Sequence, residues 1–240
     1  PLTFTANNPV PTMTTLSPTT RFAGDQSFAL TVNGTNFNST SVVRFNGNAR
    51  STTLVSVTQL TAQLLATDVA AVGAFPITVA NPAPAGGTSN AVNITVSAAP
   101  VPSLASISPT GVPAGTANLT LTVNGTNFFG GSAVRFNGSG RATAFVSNTQ
   151  LTASITAADI ANAGFFPITV FNPAPGGGTS AAVNLTVNPS ITSLTPMTAR
   201  VGAGGFTLTV NGAGFVSGAK VRWNGTGTGI RTPVPWLRTM

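Results

Sequence analysis

Val32-Asn33-Gly34-Thr35-Asn36-Phe37 returns later in the chain as Val123-Asn124-Gly125-Thr126-Asn127-Phe128. The same offset of 91 residues (123 − 32) relates Arg44-Phe45-Asn46-Gly47 to Arg135-Phe136-Asn137-Gly138. A third copy begins 87 residues (210 − 123) further on, with Val210-Asn211-Gly212-Ala213-Gly214-Phe215. A period of this length is the size of an independently folding domain, so the sequence predicts a string of similar domains rather than a solenoid.

Each repeat carries the alternation that is typical of half-buried strands, as in Phe28-Ala29-Leu30-Thr31-Val32. The Asn46-Gly47 dipeptide predicts a type I′ hairpin, because both residues tolerate a positive φ. Sequence with helical character is limited to one turn at 67–71 and its counterpart at 157–161. We therefore predict an all-β chain of two-sheet sandwiches. The strands predicted for the first repeat are 13–16, 28–33, 42–46, 51–55 (the return strand of the hairpin), 59–64, 75–80 and 91–97.

Charged residues are unusually rare. They make up 5% of the chain, against about 25% in ordinary globular domains. The net charge of +7 follows from ten basic and three acidic residues, and the basic residues are spread along the chain rather than clustered with aromatic residues. This pattern argues against nucleic-acid binding. No run of about 18 apolar residues is present, so we predict no membrane-spanning segment.

Several motifs in a fixed order carry a family resemblance. They are Leu16-Ser17-Pro18, the Asn-Gly-Thr-Asn-Phe stretch, the Val-Arg-Phe-Asn-Gly hairpin, the strand Gln59-Leu60-Thr61-Ala62 and the strand Phe75-Pro76-Ile77-Thr78-Val79. Together they resemble the IPT/TIG family of immunoglobulin-like domains, particularly the tandem copies of bacterial extracellular proteins. The resemblance implies immunoglobulin-like sandwiches and a location outside the cell or on its surface. It divides the chain into a closing strand of an upstream repeat (1–9), two complete repeats (10–97 and 98–187) and an incomplete third repeat (188–240).

The residue types that most catalytic and metal sites need are missing. The chain has no His, Cys, Tyr or Glu, and its three acids are Asp25, Asp68 and Asp159. Asp68 and Asp159 occupy equivalent positions in different repeats, so they cannot form a catalytic carboxylate pair. We interpret both as acids at the start of a short helical turn, and Asp25 alone is a weak calcium ligand. We predict a protein that is not an enzyme and uses no cofactor or metal.

The Gly-Thr-Asn-Phe stretch has a structural interpretation. Gly34 is expected to adopt a left-handed or bulged backbone, after which Phe37 turns inward and closes the end of the sandwich. Phe45 and its counterpart Phe136 are also predicted to be buried. These residues would determine the fold without binding a ligand.

Five arginines are candidates for a surface contact. Arg44, Arg135 and Arg222 occupy the equivalent strand of the three copies, and strand alternation places them on its outward face. Arg50 and Arg141 lie on the hairpin partner of that strand and are also expected to point outward. Two alternatives remain open. The guanidinium groups either bind carbonyls of adjacent loops, or they form a repeated contact for an acidic polysaccharide or a neighbouring chain.

The ends of the chain suggest two further alternatives. Residues 1–6, with Leu2 and Phe4, resemble the last strand of a repeat, and the third copy would expose Leu208, Val210 and Trp223 without a facing sheet. Either the chain is a window cut from a longer array, or a donated strand completes the open sandwich of a neighbouring copy and the chains assemble head to tail.

The sequence thus predicts a non-enzymatic extracellular repeat protein that acts as a spacer or as an adhesive, fibre-forming unit, with itself or neighbouring repeats as partner. The alternative is a carbohydrate-binding module of a larger secreted protein, which the family resemblance permits. Aromatic residues argue against that alternative, because Tyr is absent and the two Trp residues, Trp223 and Trp236, lie in the third copy.

Overall fold

The computed structural model describes residues 7–222. Most of these residues lie in short strands. A single 3₁₀ turn, Ala66–Val69, lies in this part of the chain. The strands of the first repeat are β1 Thr12–Ser17, β2 Thr20–Phe22, β3 Phe28–Thr35, β4 Val42–Phe45, β5 Asn48–Ala49, β6 Thr52–Ser56, β7 Gln59–Leu64, β8 Gly73–Asn81, β9 Gly87–Thr88 and β10 Val92–Ser97.

The second repeat has the same strands in the same order. They are β11 Ser103–Ser108, β12 Gly111–Pro113, β13 Leu119–Thr126, β14 Ala133–Phe136, β15 Ser139–Gly140, β16 Thr143–Ser147, β17 Gln150–Ile155, β18 Gly164–Asn172, β19 Gly178–Thr179 and β20 Val183–Asn188. The third copy contributes β21 Ser190–Thr195 and β22 Thr209–Ala213, which pair antiparallel.

Each complete repeat is a sandwich of two sheets. In the first repeat the strand orders are β1-β3-β7-β6 and β2-β10-β8-β4-β5, and β9 pairs with β8. The second repeat has the equivalent orders β11-β13-β17-β16 and β12-β20-β18-β14-β15. Pairing is antiparallel except where β2 runs parallel to β10 and β12 runs parallel to β20. The prediction of tandem all-β sandwiches is confirmed.

The core lies between the two sheets of each repeat and follows the alternation in the sequence. Leu30 and Val32 of β3 are fully buried, whereas Thr31 and Asn33 between and beside them are half-buried. Burying each such aliphatic side chain contributes about 1.5–3 kcal/mol. The predicted burial of four aromatic side chains is also confirmed, since 5% or less of the surface is exposed in Phe37, Phe45, Phe128 and Phe136.

The hairpin after β4 differs from the prediction. Asn46 and Gly47 have φ values of 46° and 83°, as a type I′ turn requires, but the return strand is the two-residue β5. The backbone N–H of Val43 then donates to the Thr52 hydroxyl, 3.0 Å away, instead of to a backbone carbonyl. Thr52 is the first residue of β6, which lies in the opposite sheet and pairs with β7.

The expectation for Gly34 was wrong, because its backbone is extended within β3 and the positive φ of 63° falls on Asn36. The bulge lies on the partner strand, between Met13 and Thr15. Glycine is needed at position 34 for space: a Cβ there would overlap the carbonyl oxygen of Thr12 and lie 2.6 Å from the Phe37 ring.

Candidate functional site at the arginines and the repeat junction

The outward arginines predicted from the sequence differ in their surroundings. Arg44 and Arg222 are exposed. Arg135 is half-buried, because its guanidinium carbon lies 3.8 Å from the ring centroid of Phe171. The equivalent of Phe171 in the first repeat is Ala80, which gives Arg44 no ring to cover it.

The sequence predicted that Arg50 and Arg141 point outward, but both side chains instead bind aspartates of their own repeat. The Arg50 guanidinium binds the Asp68 carboxylate through two nitrogens, with Nε 2.7 Å from Oδ2. Arg141 binds Asp159 in the same way, at 2.9 Å and 2.5 Å. Both arginines also donate to carbonyls of their own hairpin, with Arg50 Nη1 2.9 Å from the Ala49 oxygen and Arg141 Nη1 3.0 Å from the Gly140 oxygen.

Each aspartate also closes the start of the helical turn, as predicted. Oδ2 of Asp68 accepts from the Leu65 N–H at 2.9 Å, and Oδ2 of Asp159 accepts from the Thr156 N–H at 3.0 Å. The sequence placed both acids at the start of a helical turn but did not reveal their pairing with an arginine. The available signal was a spacing of 18 residues, from 50 to 68 and from 141 to 159, in a chain with few charges.

These pairs shift the ionisation of their members. Burial opposes ionisation of Asp68, but hydrogen bonds from Arg50 and the Leu65 backbone outweigh it, and the pKa of Asp68 falls below its usual range. The hydrogen bond from Arg141 is the largest influence on Asp159 and lowers its pKa against the effect of burial. The hydrogen bond to Asp68 raises the pKa of Arg50. Both carboxylates are therefore ionised structural groups.

The linkers that precede the two repeats are bonded into the repeats. Asn172, which is fully buried, donates to the carbonyls of Pro100 and Asn127, each at 2.8 Å, and accepts from the Ser132 hydroxyl. The linker residue Ala99 exchanges two backbone hydrogen bonds with the loop at Pro175 and Gly177. The first repeat binds its own linker identically, because Asn81 donates to the carbonyls of Pro9 and Asn36.

The first two repeats also pack directly against each other. The rings of Phe22 and Phe129 lie 5.5 Å apart, and Phe129 is only 4% exposed. A Cβ at Gly131 would overlap the carbonyl oxygen of Gly24, and a Cβ at Gly130 would overlap the Asp25 carboxylate. A Cβ at Gly24 would in turn lie 2.6 Å from Cγ of Pro173. The two backbones therefore approach as closely as glycine allows.

A cleft of about 500 Å³ opens beside this contact. Asp25, which is 6% exposed, pairs with Arg21 at 3.2 Å, and the Arg21 guanidinium lies 4.0 Å from the ring centroid of Phe28. The buried Nε of Arg21 has no hydrogen-bond partner within the described part of the chain. Phe22 and Phe145, also in the wall, are 36% and 45% exposed.

The predicted assembly residues fall partly outside residues 7–222, since Leu2, Phe4 and Trp223 lie beyond them. Leu208 and Val210 are half-buried. Within the same range, no group of three or more acidic, His or Cys residues is arranged to hold a metal ion. The described residues also contain no helix of the length and apolarity that crossing a membrane requires.

The chain belongs to the IPT/TIG domain family, whose model matches residues 11–96 and 102–187. These two matches cover both complete sandwiches, so the protein contains tandem immunoglobulin-like domains. No curated protein sequence matches the chain.

Solved structures show similarity at low identity. The plexin A4 extracellular region is 18% identical, over 79% of this chain and 16% of that chain, with a TM-score of 0.39. The I9–I11 tandem of titin is 13% identical over 73% of this chain and 64% of that chain, with a TM-score of 0.35. A Ca²⁺-stabilised adhesin by which an Antarctic bacterium binds ice is 18% identical over 78% and 50%, with a TM-score of 0.29. The chain thus spans less than a fifth of the plexin region.

Proposed function

We propose that this chain is a non-enzymatic extracellular repeat protein whose sandwiches act as spacers or adhesive units. The observation that carries the proposal is the bonded linker, in which buried Asn172 and the loop at Gly177 hold residues 99–100 against the second repeat. A linker fixed in this way transmits position and force between domains. The three acids support a structural role, because each pairs with an arginine of its own repeat.

The extracellular location is proposed from the tandem arrangement of the family's domains and from the sparse charge of the chain. An antibody against the protein should label intact source cells, and brief treatment of those cells with protease should remove the label. Labelling that appears only after the cells are permeabilised would contradict the proposal.

The form of the purified protein tests the spacer or fibre role. Electron microscopy should show either short rods of constant length or fibres made from such rods. Compact particles without an extended axis would be inconsistent with either form.

A finer proposal is head-to-tail assembly by strand addition. Phe215 of the third copy is 46% exposed, whereas its counterparts Phe37 and Phe128 are 3% and 2% exposed, and an exposed apolar surface of this kind is a candidate acceptor for a donated strand. The donor would be the segment with Leu2 and Phe4, and the acceptor would include Leu208, Val210 and Trp223. Removing residues 1–9 should abolish polymers in light scattering while both complete repeats stay folded. Polymers that persist would exclude this donor.

The second candidate function is carbohydrate binding, and the cleft beside Phe22 favours it. Exposed rings at Phe22 and Phe145 can pack on the apolar face of a sugar. Arg21 and Asp25 neutralise each other, so a neutral sugar fits better than an acidic one. The exposed Arg44 and Arg222 remain a separate candidate contact for an acidic polysaccharide.

The cleft is tested by titrating the full chain with cellotetraose, xylotetraose and maltotetraose and following backbone NMR shifts. Shifts should concentrate at residues 20–28 and 129–130 and should weaken in Phe145→Ala. The matched control is Leu54→Ala, which removes the equivalent exposed residue of the first repeat, outside the cleft. Absence of shifts with all three sugars would reject binding of these neutral glucans and xylans.

A further inference from the structure

We infer that the junction between the first two repeats is a specific interface that fixes their order and relative orientation, so that residues 10–187 move as one rigid unit. This inference concerns the pairing of the repeats and does not depend on where the protein acts or what it binds. It rests on where two otherwise similar repeats differ.

The residues at the junction depart from the repeat on both sides of the contact. In the first repeat, Arg21, Phe22 and Asp25 face the second repeat, whereas the equivalent positions of the second repeat hold Val112, Pro113 and Thr116. In the second repeat, the contact is made by Phe129-Gly130-Gly131, where the first repeat has Asn38-Ser39-Thr40. The two sets of departures meet in space.

Steric fit makes the departures necessary. The carbonyl oxygen of Gly24 and the Asp25 carboxylate leave no room for a Cβ at positions 131 and 130. The serine and threonine found at the equivalent positions of the first repeat would therefore collide with these groups. Phe129 fills the remaining space against Phe22, where an asparagine would lose the ring contact.

The next junction follows the same rule with different residues. Gly214 of the third copy replaces the asparagine found at positions 36 and 127, and a Cβ there would lie 2.5 Å from Cβ of Ala114 and 3.0 Å from the backbone nitrogen of Ala163. The Ser190 hydroxyl also donates to the Ala114 carbonyl at 2.8 Å. At this junction too, a residue that departs from the repeat, Gly214, lies where the backbones approach closely.

The test uses the repeat itself to supply a variant that folds. The triple variant Phe129→Asn, Gly130→Ser and Gly131→Thr places in the second repeat the loop that already folds in the first. The matched control is the reverse graft, Asn38→Phe, Ser39→Gly and Thr40→Gly, which lies away from this junction. The full chain contains no cysteine, so spin labels at Asn93→Cys and Asn184→Cys report the distance between repeats by pulsed electron paramagnetic resonance.

Wild type and the reverse graft should each give one narrow distance distribution, and the junction graft should give a distribution at least twofold broader. A junction graft that stays as narrow as wild type, or a wild type that is already broad, would overturn the inference. If the grafted repeat loses its strand circular dichroism, the variant Arg21→Val, Phe22→Pro and Asp25→Thr makes the same test from the other side, with residues that the second repeat already carries.

Discussion

At the scale of single residues, two phenylalanines of the second repeat show that residue type alone does not determine burial. Phe128 and Phe165 lie in the same sandwich, but Phe128 is 2% exposed and Phe165 is 73% exposed. The ring of Phe128 closes the end of the core beside Gly125. Its neighbours cannot collapse fully into the space that truncation leaves, so the energetic role of this residue is one of packing.

We therefore expect Phe128→Ala to lower the free energy of unfolding by about 3–5 kcal/mol, as for other buried aromatic residues. Phe165→Ala is the control and should change it by no more than about 0.5 kcal/mol. Urea unfolding followed by circular dichroism measures both values. Similar losses for the two variants would show that Phe128 does not close the core.

The arginine–aspartate pairs give a second prediction at this scale, in the pH dependence of stability. Asp159 has a lowered pKa because Arg141 binds its ionised form. An acid whose pKa is lower in the folded state adds stability above its unfolded pKa of about 3.9, and that stability is lost as the pH falls through the folded pKa. Asp159→Asn should therefore cost about 1–3 kcal/mol at neutral pH.

The difference in unfolding free energy between wild type and Asp159→Asn should shrink as the solution is acidified below about pH 4. Asp68→Asn should behave in the same way, because its pair with Arg50 has the same geometry. A difference that stays constant down to acid pH would mean that the ion pair does not produce the effect.

At the scale of elements, strands were predicted correctly where apolar and polar residues alternate over several positions. Strands of only two residues could not be predicted. The prediction 59–64 coincides with β7 Gln59–Leu64, because that strand alternates over its full length. The two-residue β5 and β9 carry no detectable period. The pairing of Arg50 with Asp68 could not be predicted from the sequence. The alternation of apolar and polar residues predicts strands, but it does not show that the turn after β7, which contains Asp68, lies beside the residue that follows β5.

The junction between the repeats could not be predicted from the sequence for a different reason. Similarity between the repeats predicted the fold, but the contact between them is carried by positions where the repeats differ, such as Phe129 and Asn38. Those differences acquire meaning only when two loops that are distant in sequence are seen to touch. The signal was present, because the repeats differ at Phe129-Gly130-Gly131 on one side of the contact and at Arg21, Phe22 and Asp25 on the other.

Two glycines make a prediction at the element scale. Gly138, in the turn between β14 and β15, has a φ of 82° and open space around it, so Gly138→Ala pays only backbone strain of about 1–2 kcal/mol. Gly125 in β13 lies against the carbonyl oxygen of Ser103, and a Cβ there would lie 2.6 Å from the Phe128 ring. We expect Gly125→Ala to destabilise the protein more than Gly138→Ala in urea unfolding. The reverse order would show that β13 can move away from β11.

At the scale of the whole molecule, no disulfide contributes to stability, since the sequence contains no cysteine. Asp25, Asp68 and Asp159 are each bound to an arginine, which leaves them poor metal ligands. We expect a chelator such as EDTA to leave the melting temperature unchanged. A fall of several degrees, reversed by added Ca²⁺, would contradict this expectation.

The final prediction concerns how far one repeat depends on another. Among residues 7–222, the core of the second repeat is formed by its own residues between Leu104 and Val187, with Ala213 of the third copy packed against it. Residues 98–187 should therefore fold alone and unfold cooperatively. Phe129 would lose Phe22 as its neighbour, and uncovering such a ring costs up to about 1.5–3 kcal/mol.

Phe129→Asn distinguishes this coupling from a role inside the repeat. In the isolated repeat the ring is already uncovered, so the substitution should change the free energy of unfolding by less than about 0.5 kcal/mol. In the full chain it should destabilise the second repeat by more than that, because a buried contact with Phe22 is lost. Equal effects in the two settings would mean that Phe129 stabilises its own sandwich and that the first repeat adds nothing to it.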